Sequence, residues 1–510
     1  MTMAEVQERT NAPVGRNGDS GSNEAARGVT RSDVPTAGDT RQSLYAGRTK
    51  VYPKEAHGRF RTVKWIVMAV TLGIYYLVPW IRWDRGPYLP NQAVLIDFPA
   101  RRFYFFFLEI WPQEFYYITG LLVLAALALF LVTSIAGRVW CGYTCPQTVW
   151  TDLMIAVERF WQGDRNARLR LDKHAWAFQT LWKRGATHLT WLLIAVATGG
   201  AWVFYFADAP TLAHQFLTFQ APTVAYLFVG LFAASTYLLG GIAREQVCIY
   251  MCPWPRIQGA MFDRDSLLIS YRAWRGEPRG PHKTGQSWEG RGDCVDCRQC
   301  VAVCPTGIDI RNGPQLECIQ CALCIDACDE IMTKVDRPTG LIAYDTVRNL
   351  EVGDTAAEPV RIFRPRVILY AVAMVVVSAI MLVALMLRPE LDVSVLHDRN
   401  PLYVKLSDGG VRNGFTMKLL NKRYEPRAFK IGVQGLPGAK LDMIGHEGGV
   451  VPVPPDNLQS VTLYVTLDKQ GVKALHDDDT EFAFVIIDIA DGAKVEHKAT
   501  FNGPEVEHEH

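Results

Sequence analysis

Five apolar stretches constrain this chain more than anything else in it: residues 63 to 81, 115 to 136, 187 to 206, 223 to 242 and 367 to 387. Each approaches or exceeds the roughly 20 residues that carry a helix across the hydrocarbon core of a bilayer. A single run of this kind could be a buried helix of a large soluble domain. Five of them, with Trp80, Trp83, Trp111, Trp140 and Trp202 near their ends as interfacial belts, predict a membrane-embedded α-helical bundle.

Lys and Arg near the span ends set the expected orientation. Arg48, Lys50, Lys54, Arg59, Arg61 and Lys64 precede the first span, and Arg159, Arg165, Arg168, Arg170, Lys173, Lys183 and Arg184 lie between the second and third. Residues 207 to 222 contain neither Lys nor Arg. The N-terminus is therefore expected in the cytoplasm and the C-terminus in the periplasm, with Arg82, Arg85, Arg101 and Arg102 of the first outer loop running against the rule. Residues 1–50, rich in Gly, Ser, Thr and Arg, read as a disordered cytoplasmic tail. No secretory cleavage is expected, because the first apolar core starts near Val63 and is long enough to span. Spans one to four then occupy 51–245, a cytoplasmic insert 246–366, the fifth span 367–387 and a periplasmic domain with its tail 388–510. That last region alternates apolar and polar residues in short runs (402 to 406, 415 to 419, 461 to 465, 482 to 487) separated by Gly, Asn, Asp and Pro, which predicts an immunoglobulin-like β-sandwich. The expected fold class is a multidomain membrane protein: a transmembrane bundle of about five spans, an iron–sulfur insert and a C-terminal sandwich.

All twelve cysteines fall between 141 and 328 and none in the predicted sandwich, a distribution that suits metal ligation rather than disulfides. Eight form two runs of C-x2-C-x2-C-x3-C, the second starting 24 residues after the first: Cys294, Cys297, Cys300, Cys304, then Cys318, Cys321, Cys324, Cys328. Three closely spaced thiolates wrap one face of an iron–sulfur cube while the fourth reaches across to the other. Cys294, Cys297, Cys300 and Cys328 would then hold one [4Fe–4S] cluster, and Cys318, Cys321, Cys324 and Cys304 the other. Zinc knuckles share the C-x2-C element, but two matching runs with Pro305 after the first favour a ferredoxin-like pair of clusters. The second run continues Cys328-Asp329 instead of Cys-Pro, which removes no ligand. Residues 275 to 293, with Pro278, Pro281, Gly285 and Gly290, read as a linker feeding the first cluster. Such clusters move single electrons, so donor and acceptor lie elsewhere.

The remaining four cysteines form near-copies. Cys141-Gly-Tyr-Thr-Cys145-Pro146 follows the second span and Cys248-Ile-Tyr-Met-Cys252-Pro253 the fourth, each preceded by an arginine (Arg138, Arg244) and ending on a proline suited to the first turn of a helix. The predicted topology puts all four thiols on the membrane face that carries the insert. Four readings stand side by side: a copper site favouring Cu(I), with Met251 as a thioether helper; a third iron–sulfur cluster; redox-cycling dithiols; or packing residues. No dinucleotide or P-loop fingerprint occurs, so the electron donor is expected to be external. A formal net charge of +1 gives no reason to expect nucleic acid. His188, near a span end, reads as an interfacial residue, and His508 and His510 as part of a solvated tail.

Taken together, the spans, the two C-x-x-x-C-P pairs, the paired four-cysteine runs and the β-rich tail resemble the cytochrome c oxidase accessory protein family CcoG/FixG/RdxA over about residues 40 to 505. The resemblance implies a bacterial inner-membrane iron–sulfur protein that supports biogenesis of a cbb-type oxidase. It would act as a cupric reductase, converting Cu(II) to Cu(I) for copper chaperones or oxidase assembly factors. The eight cysteines from 294 to 328 would relay electrons, and Cys141, Cys145, Cys248 and Cys252 would bind copper and form the catalytic site. A homo-oligomer stays open. Two other functions are carried beside this one: a quinol dehydrogenase-type relay, as in membrane subunits of periplasmic nitrate reductase systems, which the β-rich tail counts against, and a non-catalytic scaffold for oxidase assembly.

Overall fold

The computed structural model describes residues 50–87, 89–282, 285–353, 359–388, 391–423, 425–475 and 479–504. The expected tail up to residue 49 and the terminal histidines lie outside the described residues. Two compact units emerge: one runs to Met381 without residues 85–90, and the other holds those six and everything that follows.

Among the described residues of the first unit, five helices are long and apolar enough to cross a membrane: Arg59–Trp80, Pro112–Ala136, Phe178–Val203, Thr223–Ala243 and Pro365–Met386. Their regular α-helical cores and the short helices between them are α1 (Arg59–Leu77), α2 (Tyr116–Ala136), α3 (Val139–Tyr143), α4 (Pro146–Gln162), α5 (Arg165–Lys173), α6 (Phe178–Val203), α7 (Ala209–Leu217) and α8 (Thr223–Ser235). Helix α6 starts at Phe178 instead of near 187. Lys183 and Arg184 are good helix formers and Arg184 pairs with Asp172, so two charges do not end the helix. His188 is therefore inside a helix and not at its edge. The fourth span loosens at its end, where α8 passes into a π-helical segment, Thr236–Ala243.

Between the first two spans lies a small antiparallel sheet, β1 (Val94–Asp97), β2 (Arg102–Phe105) and β3 (Leu108–Ile110), in that order. Its strands of three or four residues are too short for alternation to reveal. Two of the arginines that run against the orientation rule are paired with carboxylates: Arg82 with Asp208 at 2.6 Å and, within the sheet, Arg102 with Glu109 at 3.3 Å. It also corrects the reading of Trp111. That side chain is buried rather than interfacial, with the Arg102 guanidinium 4.0 Å from its ring centroid.

The insert is built on α9 (Trp254–Gly259), β4 (Leu268–Tyr271), α10 (Gln299–Ala302), α11 (Leu323–Lys334) and β5 (Ile342–Asp345), with β4 and β5 paired antiparallel. The segment read as a linker, of which residues 283 and 284 lie outside the described residues, is tied down where it meets the first cluster run. Arg275 Nε donates to Asp293 at 2.6 Å, Arg337 also bonds Asp293, and the Asp293 N–H donates to the Arg275 carbonyl at 3.0 Å. Asp293 is buried, so its two arginine partners hold the segment down. Chain then returns to the fifth span, α12 (Pro365–Met386).

In the second unit two sheets face each other. One runs β10 (Lys440–Met443), β12 (Asn457–Leu467), β8 (Val411–Asn421), β6 (Leu391–His397), with β7 (Val404–Lys405) also on β8; the other runs β11 (Val450–Val453), β9 (Arg427–Gln434), β13 (Asp479–Asp488), β14 (Lys494–Asn502). Strands β8 and β12 pair over their full 11 residues, and alternate side chains point inward. Phe415, Met417 and Leu419 thus meet Phe429, Phe482, Phe484 and Phe501 in one core, each large side chain stabilising by roughly 1.5–3 kcal/mol through burial. The result is the expected immunoglobulin-like sandwich, closed without cysteine.

Candidate metal centre

The two four-cysteine runs fold alike. Asp296 and Arg298 in the first loop, and Gln320 and Ala322 exactly one repeat later, all have positive φ (52°, 54°, 56° and 60°) although none is glycine. Left-handed residues cost roughly 1–2 kcal/mol each for L-amino acids, so a matched set of four marks loops bent for a purpose. Alternating hands of this kind turn backbone N–H groups inward into concave nests, which suit the negative charge of a thiolate-bound iron–sulfur core. Helices α10 and α11 then start at equivalent places, Gln299 and Leu323.

Side-chain neighbours follow a crossed pattern. Cys328 interacts electrostatically with Cys300, Cys297 and Cys294, while Cys318 and Cys321 both do so with Cys304. Cys324 neighbours Cys321, Cys318, Cys304 and, more weakly, Cys300, so the two groups adjoin. Burial pushes the Cys300 and Cys318 thiols up to about 12 and raises Cys324 and Cys328 as well. Without metal these sulfurs keep their protons, and a cluster must displace them. Among the described residues no three His, Cys, Asp or Glu side chains converge tightly enough for one ion. The same is true of Cys141, Cys145, Cys248 and Cys252 as of the eight cysteines of the two runs.

The second set of four cysteines is assembled by two similar breaks. At the first, α2 stops at Gly137 (φ 65°), α3 carries Cys141, and Cys145 is extended (φ −58°, ψ 127°) before Pro146 opens α4. At the second, Arg244 (φ 46°) interrupts the fourth span, a π-turn, Val247–Met251, carries Cys248, and Cys252 is extended (φ −81°, ψ 121°) before Pro253 and α9. Cys141 interacts electrostatically with Cys145, Cys248 and Cys252, and Cys248 with Cys145 and Cys252, so the four thiols share one neighbourhood. Burial pushes Cys141 and Cys248 up to about 12. The Cys141 thiol donates to Gln258 of α9 at 3.2 Å, which ties the first pair to the helix after the second. The copies also differ: Tyr143 is buried, whereas Tyr250 and Met251 are exposed.

This neighbourhood adjoins the second cluster loop. Cys141, Cys248 and Cys324 pack on one small core with Ile319, Cys321 and Leu323. Gly142 lies so close to the loop that a Cβ on it would stand 2.7 Å from the Gln320 carbonyl oxygen and 2.9 Å from that of Ile319. Arg138 fastens the junction: its N–H donates to Gln320 Oε1 at 2.7 Å, one guanidinium nitrogen donates to the Leu316 and Cys318 carbonyls, and the other to Pro255 at 2.5 Å. Arg244, beside Cys248, is held within the bundle instead, donating to Gly241 O at 2.7 Å and to Glu158 of α4 at 2.8 Å.

Charged groups missed by sequence reasoning complete the frame. Asp326 of α11 accepts from the N–H groups of Phe60 (3.2 Å) and Arg61 (2.7 Å) and so caps the first span on a cluster-bearing helix. Asp152 of α4 accepts from Arg61 at 2.8 and 2.9 Å, with Lys64 at 3.7 Å. Burial works to raise its carboxyl, but Lys64 and Arg61 outweigh burial and hold it below the usual carboxylate range. Glu158 accepts from Arg168 at 3.0 Å as well as from Arg244. The only hint in the sequence was the arginine before each cysteine pair.

The chain is similar to known proteins over most of its length. Residues 243–347 match the family model described as "4Fe-4S dicluster domain", residues 118–162 the "4Fe-4S binding domain", and residues 381–504 the "IG-like fold at C-terminal of FixG". The chain is 49% identical to the nitrogen fixation protein FixG of Rhizobium meliloti, covering 93% of this chain and 97% of that one. It is 50% identical to protein RdxB of Cereibacter sphaeroides, over 92% of this chain and 99% of that one, and 51% identical to RdxA of the same organism, over 83% and 91%. A crystal structure of a FixG-related protein from Vibrio parahaemolyticus aligns with 22% of this chain and 97% of its own at 21% identity and a TM-score of 0.20. Half-identical to FixG, RdxB and RdxA over most of its length, with family models spanning its clusters and its sandwich, the chain belongs to the FixG/RdxA family and is a membrane iron–sulfur redox protein.

Proposed function

We propose that this protein reduces Cu(II) to Cu(I) at Cys141, Cys145, Cys248 and Cys252, in support of assembly of a cbb-type cytochrome c oxidase. The observation that carries the reading is the stacking of the Cys141 turn on the Cys318–Cys321 loop through Gly142, which leaves no side chain between the two. Cys294, Cys297, Cys300 and Cys328, with Cys318, Cys321, Cys324 and Cys304, hold two [4Fe–4S] clusters, which supply one-electron carriers when bound. Cys304 and Cys328 each belong to one run and serve the other, and this draws the two centres together. At the membrane edge, Cys141 and Cys248 give up protons when copper is captured, and soft thiolates favour the d10 ion over Cu(II). One electron arriving at this site converts one Cu(II) to one Cu(I).

The placement of Lys and Arg supports an inner-membrane protein with the N-terminus and insert in the cytoplasm and the sandwich in the periplasm. Copper chaperones or oxidase assembly factors are then the partners. A second reading has a specific observation behind it: the match of residues 118–162 to a 4Fe–4S binding family covers Cys141 and Cys145. There the four thiols hold a third cluster, and copper is not the substrate.

The test is anaerobic Cu(I) production, trapped with a chelator, by purified protein after chemical reduction. Cys297→Ala and Cys321→Ala should each reduce it to background. Production unchanged in both would sink the relay.

A further inference from the structure

A cavity of about 580 Å3 opens between α4, α6 and the π-helical end of the fourth span, lined among others by Glu158, Arg184, His188, Trp191, Arg244 and Glu245. The volume falls within the roughly 300–1,000 Å3 typical of small-molecule sites. Its position matters more. Arg244 and Glu245 also line a neighbouring cavity whose walls include Cys248, Thr306 and Ile319. Thr306 and Ile319 in turn border the space enclosed by Cys304, Cys318, Cys321 and Cys324. Three adjoining cavities thus run from the ends of two spans, past a membrane-edge thiol, to the second cluster loop.

The lining says what kind of molecule fits. Lys50, Arg184 and Arg244 face Glu158, Asp172 and Glu245, three cations against three carboxylates, so the cavity has no excess charge to hold a polyanion. Trp191 is buried in its wall, and the exposed His188 ring stands edge-on to it with centroids 5.1 Å apart. His188 Nδ1 is hydrogen-bonded to the Tyr237 hydroxyl at 2.9 Å. With Nδ1 donating to that oxygen, Nε2 remains as an acceptor for a ligand hydroxyl. The fourth span changes from α to π geometry over Thr236–Ala243, the stretch that meets this cavity, and such insertions recur at functional sites. A second, apolar cavity at the opposite ends of α6 and α8, lined by Phe98, Trp202, Phe206 and Phe228, has no titratable side chain among its lining residues and does not adjoin the cysteines.

We propose that the cavity beside His188 binds the ring of a membrane quinol and is where electrons enter the protein. This rests on the electron-relay reading of the eight cluster cysteines and is independent of copper as acceptor. Both ring O–H bonds break and the ring leaves as quinone. One proton passes to His188 Nε2 and the other to water at the open mouth. The two electrons pass to the two oxidised [4Fe–4S] clusters, one to each.

The test is equilibrium binding of decylubiquinone and of a naphthoquinone analogue to the full chain in nanodiscs. Bleaching of the cluster absorbance by decylubiquinol is followed in parallel, and iron per chain reports integrity. Saturable binding of at least one quinone to the wild type is expected, weakened about tenfold or more in His188→Leu and Trp191→Leu, as for loss of a hydrogen bond or a stacking face. Iron content should match the wild type in both, and Phe228→Ala should bind normally. Binding lost in Phe228→Ala but kept in His188→Leu would overturn the assignment, as would no saturable binding by the wild type. Displacement of the quinone by cardiolipin alone would also overturn it, marking a lipid headgroup site. Binding without bleaching in protein with full iron would count against the relay and leave the cavity's ligand standing, so the two failures are distinguishable.

Discussion

Replacing Gly142 with alanine adds one methyl group at the contact between the Cys141 turn and the second cluster loop. The new Cβ would stand 2.7 Å from the Gln320 carbonyl oxygen, 2.9 Å from that of Ile319 and 3.0 Å from the Gln320 carbonyl carbon, whereas ordinary contact begins at 3.4 Å. The turn must therefore back away by 3.4 − 2.7 = 0.7 Å or the loop must yield. All three neighbours are backbone atoms of the left-handed cluster loop, so neither response is as cheap as rotating a side chain. Gly142 lies within helical α3 and has no positive φ, so alanine suits its backbone and regains about 0.5–1 kcal/mol of helix propensity. Overpacking costs about 1–3 kcal/mol, and the net loss is expected at up to about 2.5 kcal/mol, rising with Gly142→Val. Thermal unfolding in detergent should show a lowered midpoint for both variants, in that order, together with a changed spectrum of the cluster held by Cys318, Cys321, Cys324 and Cys304. Gly230→Ala in α8 is the control, because no atom lies within 4 Å of its added Cβ. Wild-type midpoint and spectrum in Gly142→Val would refute the stacking on which the proposed function depends.

The crossed ligand pattern predicts that Cys328→Ala and Cys294→Ala erase the same paramagnetic signal, and that Cys304→Ala pairs with Cys318→Ala; signals grouped by sequence run would contradict it. Asp152→Ala leaves Arg61 and Lys64 facing each other in a buried place, so folded yield and melting midpoint should fall with a loss of about 3–5 kcal/mol. Because burial pushes the Cys141 and Cys248 thiols up to about 12, each must release a proton when it binds Cu(I) at neutral pH. Affinity should therefore drop as pH falls, by about tenfold per pH unit for each thiol that deprotonates. Competition with a chelator between about pH 6 and 8 reads that slope, and a flat profile would show that neither thiol is a ligand. Asp326→Ala removes the cap on the first span and should cost about 1–2 kcal/mol, seen as a lowered midpoint with iron retained.

Local patterns made the spans, the sandwich and the paired cluster loops legible in the sequence, because hydropathy, alternation and cysteine spacing each act over a few residues. Where the expectation slipped, the cause was tertiary. Lys183 and Arg184 hid the start of α6 by looking like its end. Trp111 looked interfacial until a sheet of very short strands covered it, and nothing in the linker from 275 to 293 announced that Asp293 binds Arg275 and Arg337. The junction between Gly142 and Gln320 joins residues far apart in the chain, and no spacing rule reaches that distance. The same holds for the cavity beside His188, whose lining comes from residues between Lys50 and Glu245, and for the π-helical end of the fourth span, which no motif announces.

The central claim is that the four membrane-edge thiols are where copper is reduced, fed by two clusters. Anaerobically purified wild type and a variant with Cys141, Cys145, Cys248 and Cys252 all changed to Ala should be compared for iron, copper and chelator-trapped Cu(I) after reduction. About eight irons per chain are expected in both proteins, with copper binding and Cu(I) formation lost in the variant. About twelve irons falling to eight would instead establish a third cluster at those thiols, and undiminished Cu(I) formation by the variant would contradict the account outright.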